Sequence, residues 1–324
     1  MGEVFGGRYE LVDVLAAGGT GTVWRAWDRR EHVYRAAKVL RQSDGDSLLR
    51  FVRETSRDVR HPNVVAPSGW TGEDDRVLFT MPLVRGGSVA TLLGDYGALP
   101  VGWALELFRQ ALLALVEVHR VGLVHRDVTP ANLLLDATGR GRPHLMLSDF
   151  GAALQLGAPR LTRSDTVVGT PGYAAPEQLA GADPAATQDV YAVAVVLSQM
   201  LTGTPPPRAG GPASLPRTDA TTTAVAELVD AMTDPDPRRR PATSLEALAL
   251  LDAVPDAGPE EETSSGPHAT EPVEVFDQVP PLPTGWTADG PERAPRAFWA
   301  TVPVLAWVLA AVGLLLVLAA VLVG

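Results

Sequence analysis

At 324 residues the chain exceeds one average domain and has room for a two-lobed enzyme with appendages. Its formal net charge of −11 excludes the basic face that a nucleic-acid binder needs, so no nucleic-acid partner is expected. The absence of cysteine excludes disulfides, thiolate metal sites and a cysteine nucleophile. The 27 basic residues are all arginine except Lys38. A lone lysine in so arginine-biased a chain belongs where the wide guanidinium fork does not fit, such as a crowded phosphate site.

Residues 1–8 lack an apolar run, so no export signal is expected there. Short strands are predicted at residues 9–12 and 22–26, flanking a glycine-rich turn, and again at 34–40 and 76–81. Residues 48–59 have helical spacing, stopped by His61-Pro62-Asn63. Beyond Gly86 the pattern is helical. Residues 101–119 place Leu105, Phe108, Leu112 and Leu115 on one stripe, 190–201 are apolar almost all round, and 243–251 are amphipathic. A strand-rich half followed by a helix-rich half predicts an α+β, two-lobed fold.

Within residues 254–292, Pro, Gly, Ser and Thr alternate with Glu260, Glu261, Glu262, Glu271, Glu274 and Asp277, and no Lys or Arg appears. Such a stretch predicts a self-repelling, extended linker without enough apolar surface to order itself, placed at 253–297. Residues 298–323 contain no charged residue. About 20 apolar residues cross a bilayer, so a transmembrane helix is predicted there. Arg293 and Arg296 precede it and no basic residue follows, which orients the N-terminal side to the cytoplasm. With only Gly324 beyond the span, the expected arrangement is a single-pass tail anchor in the cell membrane.

Three motifs carry chemistry. Leu15-Ala16-Ala17-Gly18-Gly19-Thr20-Gly21-Thr22-Val23 joins two strands, and its glycines let backbone amides approach phosphates. Lys38 follows on the next strand, where it can neutralise phosphates if a carboxylate such as Glu54 holds it. In His125-Arg126-Asp127-Val128-Thr129-Pro130-Ala131-Asn132, the acid can deprotonate a hydroxyl nucleophile and the amide oxygen can ligate Mg²⁺. Asp149-Phe150-Gly151 sets a metal-binding carboxylate before a glycine that permits a sharp turn. Each motif alone has a plainer reading as a turn or a cap. Their order and spacing, completed by Ala175-Pro176-Glu177, make up the protein-kinase signature set.

The sequence resembles the bacterial Hanks-type (eukaryotic-like) Ser/Thr protein kinases, in their membrane-tethered subgroup, over about residues 9–251. The resemblance implies a bilobal kinase domain at 1–252, its N-lobe at about 9–81 and its C-lobe at about 85–252. It implies ATP with Mg²⁺, or Mn²⁺ in its place, as cofactors. Asp127 would be the catalytic base, and Asn132 and Asp149 the metal ligands. Lys38 and Glu54 would form the ion pair that orients the α- and β-phosphates. Ala16, Gly18, Gly19, Gly21, Val23, Ala36, Lys38, Met81, Pro82, Val84 and Leu134 would hold the nucleotide. Met81 would be the gatekeeper, and adenine would bond the Pro82 carbonyl and the Val84 amide. Thr162, Ser164 and Thr166 fall in the activation segment, where a phosphate could pair with Arg126. Gly169-Thr170-Pro171-Gly172-Tyr173 resembles the segment that receives a Ser/Thr substrate. Asp189 resembles the acid that braces the His125-Arg126-Asp127 backbone, and Glu177 with Arg240 the ion pair that ties the activation segment to the C-lobe.

Four departures stand out. Ala16 occupies the first glycine position of the loop. Thr129 replaces the lysine that usually contacts the γ-phosphate, which lowers the charge available to the transition state. Glu54 lies close to His61-Pro62-Asn63, and the proline-rich stretch 203–223 is short for a substrate-docking helix. Phosphoryl transfer from ATP to protein Ser/Thr hydroxyls, with itself in trans as one substrate, is the expected activity. The alternative is a nucleotide-binding pseudokinase that acts as a membrane-tethered scaffold. A small-molecule kinase is disfavoured by the peptide-receiving segment.

Overall fold

The computed structural model describes residues 2–18, 21–41, 59–150, 154–155, 169–255 and 272–292. Gly2–Pro281 form one compact unit, and a second begins at Leu282. The predicted helix at 48–59 apart from its last residue, Glu54 on it, Gly19, the hydroxyls at 162–166 and the apolar stretch 298–323 lie outside the described residues. No helix among the described residues is long and apolar enough to cross a membrane.

The first lobe is an antiparallel six-stranded sheet in the order β1-β2-β3-β4-β6-β5. Strands β2 (Tyr9–Gly18) and β3 (Gly21–Asp28) form the glycine-loop hairpin, closing with Gly18 opposite Gly21. Gly21 has φ +128, and a Cβ there would stand 2.7 Å from the Val39 carbonyl oxygen, so no other residue fits. Strand β4 (Val33–Arg41) pairs with β3 and sets Lys38 opposite Val23. Strand β6 (Arg76–Met81) pairs with β4, and its Val77 to Thr80 are buried because both faces are covered. The edge strands β1 (Val4–Phe5) and β5 (Gly69–Glu73) escape the sequence pattern, one for brevity and one for its glycines. Phe5 is nonetheless fully buried, in a small core with Tyr9, Leu11 and Leu78.

Arg8 closes this lobe on Asp28, whose side chain is fully buried and held by two guanidinium bonds of 3.0 and 2.6 Å. Burial alone would raise the Asp28 pKa. The Arg8 bonds and the Arg30 and Glu31 amides outweigh it and lower the value to about 2. The folded value lies below the usual 3.8, so this stabilisation is complete above pH 4 or so and is lost as pH falls through about 2. Acid titration followed by fluorescence should therefore show an unfolding transition in wild type that moves to higher pH in Arg8→Ala.

The second lobe is helical: α1 (Val89–Tyr96), α2 (Val101–Arg120), α3 (Pro176–Leu179), α4 (Ala186–Thr202), α5 (Ala220–Met232) and α6 (Ser244–Asp252). Helix α2 buries Ala104, Leu107, Phe108, Ala111, Leu112, Leu115 and Val118, while the predicted Leu105 sits half-buried at the edge of the stripe. Helix α4 is buried from Gln188 to Met200, in line with the burial expected of the nearly all-apolar stretch 190–201. Helix α1 starts at a capping box between Ser88 and Thr91, and α5 at one between Asp219 and Thr222. Residues 203–219 carry no helix or strand. The short strands β7 (Leu123–Val124), β8 (Leu133–Leu135), β9 (Leu145–Leu147) and β10 (Leu154–Gln155) frame the loops that carry the chemistry.

The linker reading is corrected in part. Residues 272–281 are ordered against the rest of the first unit, with Val273 and Val275 built into the main core. In the second unit, β11 (Trp286–Thr287) and β12 (Gly290–Pro291) make a small antiparallel hairpin.

Candidate active site

Two residues of the candidate site hold strained backbone, and a buried acid supports the first of them. Arg126 and Asp149 have φ of +67 and +63, a left-handed conformation costly for residues with a Cβ. Asp189, on α4 and fully buried, accepts the backbone N–H of His125 and of Arg126, each at 2.8 Å. His119 Nε2 on α2 lies 2.8 Å from the same carboxylate. Burial would raise the Asp189 pKa, but the His119 hydrogen bond and the charges of His119 and His125 bring it below the usual range. This acid therefore stays ionised and braces the loop, in the place the resemblance gave it.

The braced loop presents Asp127. Its Oδ1 accepts the Thr170 N–H at 3.1 Å and the Thr170 hydroxyl at 2.7 Å, and its Oδ2 accepts Asn132 Nδ2 at 3.0 Å. Asn132 Nδ2 also donates to the Asp127 carbonyl at 2.8 Å, which leaves the amide oxygen as its ligating atom. Thr170 is thus bonded to the candidate base, a contact across 43 residues that sequence spacing alone does not reveal. Thr129, in the usual lysine position, is buried and precedes the short 3₁₀ turn Pro130–Asn132.

Lys38 Nζ bonds both oxygens of Asp149, at 2.8 and 2.7 Å. The resemblance gave Lys38 to Glu54; among the described residues its carboxylate partner is Asp149. Phe150 is buried, its ring 5.2 Å from that of His125. His125 Nε2 in turn lies 2.9 Å from the Ser148 carbonyl, which fixes the approach to Asp149.

A cavity of about 490 Å³ opens between the lobes. Ala16, Val23, Ala36, Lys38, Met81, Pro82, Val84, Asn132, Leu134 and Asp149 line it, so predicted nucleotide and metal residues converge on one space. Its size suits a small-molecule ligand. Gln278, Val279 and Pro280 also line it, and nothing in their acidic, proline-rich surroundings marks them as site residues. Gly18 and Gly21 stand at the ends of the loop above, Gly18 being the last residue described before the turn.

An ion pair fixes the segment around Glu177. Arg240, fully buried, makes bonds of 2.7 and 2.9 Å to Glu177 and one of 2.7 Å to the Asp234 carbonyl, and lies 4.8 Å over the Tyr191 ring. Gln178 beside it donates to the Arg126 carbonyl at 2.8 Å, linking this segment to the catalytic loop. Removing one partner of a buried pair leaves the other charge uncompensated. Arg240→Ala should cost about 3–5 kcal/mol of stability, read by denaturant unfolding, with Arg240→Lys intermediate.

The family model described as the protein kinase domain matches residues 9–264. The chain belongs to the protein kinase domain family. It is 40% identical over 218 residues to the serine/threonine-protein kinase PkaA of Streptomyces coelicolor, covering 62% of this chain and 40% of the relative. It is 42% identical over 214 residues to the DNA damage-responsive serine/threonine-protein kinase RqkA of Deinococcus radiodurans, covering 63% and 31%. The serine/threonine-protein kinase PknA of Mycobacterium tuberculosis is 36% identical over 216 residues, covering 64% and 49%. The chain therefore spans about half or less of the length of these relatives.

Proposed function

We propose that this protein is a Ser/Thr protein kinase that transfers the γ-phosphoryl group of ATP to protein hydroxyls. The observation that carries the reading is the convergence of Asn132, Asp149 and Lys38 on one inter-lobe space, with Asp127 bonded to Asn132 and to Thr170. The donor set fits a hard cation bound with nucleotide. Asn132 and Asp149 offer oxygen ligands on the same cavity as the Lys38 ammonium, so they would hold Mg²⁺. Bound Mg·ATP supplies the phosphoryl group and neutralises its charge.

The chain's own groups do the rest. Lys38 and the glycine hairpin bind phosphates, and the Met81 to Val84 edge receives the adenine. Asp127 accepts the proton of the attacking hydroxyl, while Asn132 and Thr170 hold the carboxylate in one orientation. Thr129 supports a second reading, an ATP-binding scaffold with weak transfer, because it brings no charge to the reacting phosphate.

Incubation of the full-length chain with Mg²⁺ and γ-labelled ATP separates the two. Label on Ser or Thr of the chain or of a generic protein substrate, abolished by EDTA, is expected. Thermal stabilisation by Mg·ATP with no label above the EDTA control would leave only the scaffold. The membrane tether belongs to the same proposal, supported by the uncharged run 298–323. The expected result is recovery of the chain with membranes after alkaline washing, and loss of that fractionation when the run is deleted.

A further inference from the structure

The nucleotide cavity has a wall that comes from beyond the kinase domain match, which ends at residue 264. Residues 272–281 run from the C-lobe across the outside of the inter-lobe connection to the N-lobe sheet. At the C-lobe end Val273 and Val275 are 3% and 2% exposed, and Val275 exchanges backbone bonds with Gly139, at 2.9 and 3.0 Å. Glu274 pairs with Arg140, and its backbone bonds the Tyr96 hydroxyl. In the middle the Gln278 N–H donates to the Arg85 carbonyl at 2.7 Å, while Asp277 takes the Arg85 guanidinium. At the N-lobe end the buried Arg25, itself paired with Asp13, donates to the Pro280 and Pro281 carbonyls at 2.9 and 3.2 Å.

The connection between the lobes is shaped to admit this segment. A Cβ on Gly86 would stand 2.6 Å from the Val275 side chain, and one on Gly87 would stand 3.1 Å from the Gln278 carboxamide carbon. Gly86 and Gly87 thus leave room for the strap, and equally for the Leu135 and Asp136 carbonyls and the Thr91 hydroxyl. The strap does not fill the cavity; Gln278, Val279 and Pro280 form one side of it, facing the space shared with Ser88, Thr91 and Leu134.

Resting on the kinase reading above, we propose that this strap is a working part of the nucleotide site and that Gln278 determines its specificity for the ribose. The base edge of the cavity is the Met81 to Val84 backbone, and the phosphate end is Lys38 and Asp149. The remaining polar lining is Arg85, Ser88, Thr91, Ser148 and Gln278, and the Ser88 and Thr91 hydroxyls are already engaged in the cap of α1. A carboxamide both donates and accepts, which matches the paired hydroxyls of a ribose. The neighbouring Val279 and Pro280 supply the apolar surface against which a nucleoside packs.

The test measures ATP and 3′-deoxy-ATP affinity on the full-length chain by fluorescent-nucleotide displacement. Wild type should favour ATP about tenfold, and Gln278→Ala should bind ATP about tenfold more weakly and lose that preference. Val275→Asp, which places a charge at the buried anchor, should speed hydrogen exchange across 272–281 and weaken ATP binding as well. Unchanged ATP affinity and an unchanged ratio in Gln278→Ala would overturn the proposal while leaving the kinase reading in place. Tighter ATP binding in Val275→Asp would also overturn it, by making the strap a barrier to nucleotide. If wild type binds no nucleotide at all, the kinase reading itself fails.

Discussion

Asp127→Asn should lower phosphoryl transfer by roughly 10²–10⁴-fold, the range general-base catalysis contributes, with little change in nucleotide affinity. The asymmetry follows from where the side chain sits. Asp127 bonds Thr170 and Asn132, whereas the nucleotide cavity is lined by Asn132, Asp149 and Lys38. The substitution therefore removes the proton acceptor and leaves the ligand groups in place. It also costs local order. Thr170 N–H and Asn132 Nδ2 both donate to this carboxylate, so a side-chain NH₂ would face one donor or the other. Single-turnover transfer and Mg·ATP displacement, measured on the same preparation, check both halves. Transfer within threefold of wild type would remove Asp127 from the role of base.

The second large effect belongs to a residue that touches no ligand. Asp189→Ala should destabilise the chain by about 3–5 kcal/mol, because it leaves two buried backbone N–H groups and His119 without their acceptor. At the scale of this domain that is a fall in melting temperature of roughly 10 °C. Asp189 holds Arg126 in its left-handed backbone, so the loss should extend to transfer even in molecules that remain folded. Asp189→Asn keeps one acceptor oxygen and should lose less of both. Wild type should also weaken in acid, since the Asp189 pKa is depressed in the fold: its contribution is complete above the usual carboxylate range and is lost as pH falls through the depressed value. Equal melting temperatures for wild type and Asp189→Ala would show that the loop is braced by something else.

What could be read from the sequence was the part in which chemistry is local. Asp127 and Asn132 are five residues apart on one loop, and the structure bonds them to each other. Lys38 announced itself as the lone lysine, and β4 carries it into the cavity. Helix α2 was legible because its apolar residues recur at helical spacing, and α4 because residues 190–201 are apolar almost all round. Helix α5 was not, since Thr221, Thr222 and Thr223 open it with poor helix formers and its stability comes from Val225, Leu228, Val229 and Met232 packing on the core. The strap failed for a different reason. Its acids suggest self-repulsion, but Glu274 meets Arg140 and Asp277 meets Arg85, residues more than a hundred positions away. Its valines enter a groove built by other elements, and no window of sequence contains both sides of that contact.

Lys38 has one more consequence, and it concerns reagents. The chain holds a single ε-amine, and that amine sits at the back of the nucleotide cavity, clasped by Asp149. An amine-selective acylating probe consequently has only this side chain to modify, apart from a free N-terminus. Modification becomes a direct gauge of site occupancy, with no background from surface lysines to subtract.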